Sequence, residues 1–151
     1  MTDTAITEIP STTDHYATAT TSGRYATAIT TGIASWASAG PEGTIVLAHI
    51  DEAAGRTRIL VAYPGETEGI EPGIYHHVVD GKIVGDPDML LPNDGRGYSL
   101  RHNDGLYLAG CREFTAEQAL AHWSDPSHYS PKSAALLLAA VKAHMAQIAA
   151  A

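Results

Sequence analysis

The clearest alternation of apolar and polar positions lies in residues 98–123, YSLRHNDGLYLAGCREFTAEQALAHW. Tyr98, Leu100 and His102 alternate with Ser99 and Arg101, and after Asn103-Asp104-Gly105 the alternation resumes with Leu106 and Leu108 against Tyr107 and Ala109. Such a pattern on both sides of turn residues predicts a hairpin of two half-buried strands. A three-residue loop with Gly105 at positive φ would set Leu100 opposite Leu108 and leave one face wholly apolar. A two-residue Asp104-Gly105 turn, ranked second, would mix Leu and Arg across the pair. Residues 110–113 are expected to leave the sheet. Thr115 and Gln118 then predict a capping box with Phe114 stapled to Ala119, opening a short helix whose stripe is Ala116, Ala119, Leu120 and Trp123.

Upstream, TIVLAHID (Thr44–Asp51) and TRILVAY (residues 57–63) are β-rich and apolar at nearly every central position. They predict a hairpin covered on both faces. Residues 74–79 and 82–84 flank Asp80-Gly81, the pair that favours a type I′ turn, and predict a second hairpin. Residues 85–97 (GDPDMLLPNDGRG) predict a long irregular connection. Near the C-terminus Ser130-Pro131 reads as an N-cap with proline at the first helical position. Ala134, Leu137, Leu138, Val141, Met145 and Ile148 line one face of the long helix that follows.

Residues 1–21, rich in Thr, Ser and Ala, lack sustained periodicity and are expected to be disordered or ordered only by a partner. YATATTSG (residues 16–23) and YATAITTG (residues 25–32) are near-copies nine residues apart, but two copies fall short of the three that a repeat architecture needs. From Ser22 the chain reads as an amphipathic helix through Tyr25, Ala28, Ile29, Ile33, Trp36 and Ala37, stopped by Gly40-Pro41, with a strand as the second reading for the same residues. The expected fold is therefore α+β: a single domain over residues 22–151, with an N-terminal helix, an antiparallel meander of about six strands, a short helix after the last hairpin and a long C-terminal helix.

Composition narrows the function. Nine basic residues against seventeen acidic ones give a net charge of −8, a poor balance for gripping phosphate backbones, so no direct nucleic-acid binding is expected. No apolar run is expected to match the roughly 18 residues of a membrane span, and no secretory leader is expected at the start. The single cysteine excludes an intramolecular disulfide and fits a reducing, cytoplasmic setting.

Candidate chemistry is sparse. His76 and His77 are adjacent, so on a strand they point to opposite faces and cannot share an ion; a metal site would need His49, His102 or His122 to converge on one of them, and no metal or cofactor is expected. Cys111 and His122 would form a thiolate–imidazole pair only if the helix folded back over its start, and a buried structural cysteine is the expectation. Asp80, Asp86, Asp88, Asp94 and Asp104 all lie beside Gly, Pro or Asn, where turn hydrogen bonding accounts for them. The encircling alanines and leucines of the last helix predict self-association, most simply a two-fold dimer, through Leu138, Val141 and Met145.

The pattern Gly-Cys-Arg-x-Phe-Thr-x-x-x-Ala-Leu-x-His-Trp, here residues 110–123, resembles a C-terminal segment that recurs in small uncharacterised proteins of bacteriophages and bacterial mobile elements. The resemblance covers that segment alone and implies a setting, with no activity attached. Three functions are compatible with these features. First is a non-enzymatic binding protein acting on a host protein as inhibitor or adaptor. An oligomeric binder of a small, nucleotide-like molecule is second, and a small hydrolase using His76 or His77 third.

Overall fold

The computed structural model describes residues 11–12, 17–125, 127 and 130–151. The chain divides into two compact units, residues 1–87 and 88–151, each with its own apolar cluster, where the sequence suggested one domain from residue 22 onward.

The first unit begins with five strands that alternate between two sheets: β1 (Ser11–Thr12), β2 (Thr18–Thr20), β3 (Thr27–Thr30), β4 (Trp36–Ser38) and β5 (Thr44–Asp51). Strands β1, β3 and β5 run parallel in one sheet, while β2 and β4 run parallel in the other. The chain thus winds as a flattened solenoid, and the two near-copies are consecutive half-turns of it. Two buried positions recur at the same nine-residue spacing, one through Ala19, Ala28 and Ala37, the other through Thr21, Thr30 and Ala39. The corner residues Tyr25, Ala34 and Glu42 all take positive φ, at 61°, 57° and 61°. From Ala34 to Glu42 the spacing shortens by one residue, so Ile45 and Leu47 occupy the next inward places, and both are fully buried.

This corrects three expectations. The segment from Tyr25 to Trp36 is not a helix: its left-handed corners interrupt any helical run, and Thr and Ala on extended backbone pair with the neighbouring coil. The repeat is real although only two copies resemble each other, because later half-turns keep small buried residues and the corner geometry rather than the letters. Ordered structure also starts before residue 22, with β2 paired in register on β4; the remainder of that N-terminal expectation lies outside the described residues.

Antiparallel strands end the solenoid. Strand β6 (Arg56–Ala62) pairs with β5 as expected, while β7 (Tyr75–Val79) joins β4 and continues into β8 (Lys82–Asp86). The β7–β8 turn is the predicted one, with Asp80 at φ 50° and Gly81 at 75°. The sheet orders are β1-β3-β5-β6 and β2-β4-β7-β8.

The second unit is a four-stranded antiparallel sheet with two helices. Its strands are β9 (Met89–Leu91), β10 (Leu100–Asn103), β11 (Leu106–Ala109) and β12 (Arg112–Phe114), in the order β12-β11-β10-β9. Residues 85–97 are thus only partly irregular. The chain also returns to the sheet after Gly110-Cys111 rather than leaving it. Asn103 pairs with Leu106 across a two-residue Asp104-Gly105 turn, both at positive φ, so the second-ranked register is the one adopted, with Arg101 opposite Leu108. It turns Leu100, His102, Tyr107 and Ala109 inward and leaves Tyr98 about half exposed.

Helix α1 (Ala116–Ser124) carries the predicted capping box, with Thr115 Oγ1 accepting from the Gln118 N–H and the Gln118 side chain accepting from the Thr115 N–H. Helix α2 (Pro131–Ala150) is capped by Ser130. Trp123, Leu137 and Val141 close the core over Leu100, Tyr107 and Phe114. With 20 residues and a mean hydropathy of 1.4, α2 is by length and composition long and apolar enough to cross a membrane, contrary to expectation, although Leu137 and Val141 are built into this core.

Two stability predictions follow from these cores. Ala37→Leu adds bulk between the solenoid sheets and should lower stability by about 1–3 kcal/mol, read as a lower urea midpoint, whereas Ala53→Leu in an exposed turn should leave it unchanged. Trp123→Ala should cost about 3–5 kcal/mol in the second unit, followed by the near-ultraviolet circular dichroism melt.

Candidate functional site

The β5–β6 hairpin was expected to be covered on both faces, and it is covered on one. Side chains alternate along each strand, so Ile45 and Leu47 with their partners Ala62 and Leu60 face the interior. The other face carries Ile29, Val46 and Val61 in one cross-strand row, then Ala48 beside Ile59, then Ile50 beside Thr57. Exposure is 51% for Ile50, 53% for Ile59, 50% for Val61 and 47% for Tyr63. The solenoid uses alternate strands as opposite walls, so β5 and β6 have an inside and an outside. Unbroken apolarity on such strands marks a surface rather than two-sided burial. Strand β6 also ends its sheet, leaving outer N–H and C=O groups without a neighbouring strand among the described residues. At the far end of the hairpin Arg58 pairs with Asp51. The Arg58 hydrogen bond, joined by the Ala54 N–H, holds the Asp51 carboxyl below its usual range.

The histidine candidates occupy opposite faces of β7, as adjacent residues must. His76 is fully buried, and its Nε2 accepts from the Glu71 N–H at 3.4 Å. His77 stacks on Trp36, with ring centroids 3.9 Å apart and planes 8° from parallel. His49, Asp80 and Ser35 join that stacked pair around an open cleft of about 550 Å³. Among the described residues no three of His, Cys, Asp and Glu are placed to hold a metal ion.

In the second unit Cys111 and His122 are not brought together. Cys111 is exposed on the β11–β12 turn, contrary to the expected burial, whereas His122 packs against Phe114 with centroids 4.9 Å apart and lines a different hollow. Of the expected interface residues, Val141 is fully enclosed in the unit's own core and Leu138 and Met145 are partly buried there; Leu136 and Ile148 are the large apolar side chains of α2 that face outward.

A cluster that the sequence did not suggest joins α2 to the sheet. Tyr107 Oη lies 2.9 Å from His144 Nδ1, and the His102 ring sits 4.3 Å from the His144 ring and 4.7 Å from that of Tyr107, centroid to centroid. The inward alternation of His102 was legible, but its meeting with a residue of the last helix was not.

Burial holds His144 below the ordinary histidine value of 6.5, and a charge on His102 lowers it further; burial likewise lowers His76. Unfolded chains therefore bind protons that these folded sites refuse. Stability should be full above about pH 6.5 and decline as the pH falls below that value towards the folded pKa values. The expected result is a lower melting temperature at about pH 5 than at about pH 7.5, and a smaller drop for the second unit in His144→Gln, which can still bond Tyr107. An unchanged drop in that variant would remove His144 from the cause.

Comparison with family models, with curated proteins and with solved structures gives no match.

Proposed function

We propose that this chain is a non-enzymatic binding protein whose outward β5–β6 face docks a protein partner. The observation that carries the reading is the half-exposed apolar patch made by Ile59 and Val61 on β6, the strand that ends its sheet, with Ile50 on the neighbouring β5 and Tyr63 just past the end of β6. Contiguous apolar area on a soluble surface marks a contact site, and a free strand edge adds backbone donors and acceptors that an extended segment of the partner can pair with. The chain's charge of −8 favours a partner surface that is basic around an apolar centre. The segment at residues 110–123 suggests a host protein as that partner, met in the cytoplasm. A hydrolase built on the adjacent histidines has less support, because His76 is enclosed and His77 is engaged with Trp36 on the opposite face.

Capture from host lysate should be run with wild type, Ile59→Lys, Val61→Lys and Leu136→Lys side by side, with light scattering on each. The expected outcome is a partner retained by wild type and by Leu136→Lys, and lost with either β6 substitution. Equal capture by all four proteins would sink the reading. A dimer that Val61→Lys dissociates, with no captured protein, would reassign the face to a second copy of the chain. A dimer that only Leu136→Lys dissociates would instead place self-association on α2.

A further inference from the structure

The connection between β9 and β10 is a built loop. Asn93 Oδ1 accepts from the N–H groups of Gly95 and Gly97, at 2.8 and 3.1 Å, and Asp94 Oδ1 accepts from those of Arg96 and Tyr98, at 2.8 and 3.2 Å. Gly95 and Gly97 take φ near 93° and 94°, which the tight wrapping requires. Ser133 Oγ on α2 donates to the Asp94 carbonyl at 2.8 Å and anchors the loop to the helix. The Asp94 side chain is fully buried, and its Oδ2 accepts from Arg96 Nε at 3.0 Å and Nη2 at 2.6 Å. Burial alone would raise the Asp94 pKa, but the Arg96 guanidinium and the two N–H groups outweigh it and hold the carboxyl below its usual range. The guanidinium is thereby fixed, with its carbon 5.3 Å from the Tyr98 ring centroid.

A pocket of about 290 Å³ opens beside this loop, lined also by Cys111 of the β11–β12 turn and by Arg112 at the start of β12. Leu137, Ala109 and the Tyr98 ring supply its apolar surface. Two of the chain's nine basic residues therefore meet in one hollow, against a single carboxylate that is already engaged by one of them. The local charge is positive on a protein of net charge −8.

We infer that this pocket is a binding site for a small organic anion, a carboxylate or phosphate monoester carried on a compact apolar or aromatic body. The planar donor fork of Arg112 matches the oxygens of either anion and Arg96, held by Asp94, lines the pocket beside it, while Tyr98, Leu137 and Ala109 receive the body. The volume sits at the lower end of the roughly 300–1,000 Å³ usual for ligand sites, which limits the body to about one ring. This site is separate from the β5–β6 face and does not rest on the protein-binding reading.

The lone thiol at the rim supplies the test. The full chain is alkylated with iodoacetamide, which can label only Cys111 among cysteines, in the presence of phenyl phosphate, benzoate or inorganic phosphate. Phenyl phosphate or benzoate should slow labelling saturably, inorganic phosphate should do so more weakly, and Arg112→Gln should weaken the protecting ligand about tenfold or more. Arg112 is exposed, so a matched melting temperature will show that this variant is folded. The site is overturned if neither organic probe protects up to about 10 mM, or if protection is the same in Arg112→Gln. Equal protection by inorganic phosphate would also overturn it, because the apolar surface would then play no part. Ile59→Lys should leave protection unchanged, so this test and the partner-capture test fail or succeed separately.

Discussion

The narrow interior between the two sheets of the first unit is the constraint on which the rest of that unit depends. Ala19, Ala28 and Ala37 stack at equivalent places in successive half-turns, so the space between the walls is filled by little more than a methyl group from each. Larger side chains at those places would force the sheets apart or adopt strained rotamers. The corners are equally constrained, since each must reverse the chain within a few residues, and Tyr25, Ala34 and Glu42 do so in the left-handed region without glycine. Where Ile45 and Leu47 replace alanine inside, the parallel winding stops and antiparallel hairpins take over. The widening interior and the change of topology coincide.

A solenoid covers each strand with the coils before and after it, whereas the last strand added has no successor. Strand β6 holds that place in its sheet: its first half carries Arg56 and Arg58, but its second half turns Ile59 and Val61 outward, with Tyr63 just past its end, where ordinary edge strands are blunted by charge or proline. The exposed row thus departs from the usual protection of sheet edges on a chain otherwise well supplied with acidic residues.

In the second unit the organising interaction is the docking of α2 on the sheet through Leu137 and Val141, secured at one place by the Asp94 loop and at another by His144 on Tyr107. The two polar anchors differ in character. Asp94 is ionised and satisfied by four hydrogen bonds from Arg96 and Tyr98, so it contributes rigidity at any pH above the carboxylate range. In the His102, Tyr107 and His144 cluster burial favours the neutral form of the His144 imidazole, which makes this anchor the acid-sensitive one.

Local signals in the amino-acid sequence were sufficient for the α+β class, the hairpins at β5–β6, β7–β8 and β10–β11, the capping box of α1, the proline start of α2 and the burial of Trp123. All of these rest on contacts within a few residues, where turn propensity and side-chain period act directly. The solenoid was not legible, because its strands are two to four residues long and are stabilised by partners about two repeats away; an alternation that short matches a helical stripe equally well. Hairpin register turned on one residue, Asn103, which either reading could accommodate. Sequence placed His76 and His77 on opposite faces but could not say which was enclosed, nor that Cys111 would be exposed beside Arg112 and Arg96. Apolar runs on β5 and β6 announced strands, and only the tertiary structure decided that one side of them faces outward, because burial depends on how much chain remains to cover a surface and not on the residues of that surface.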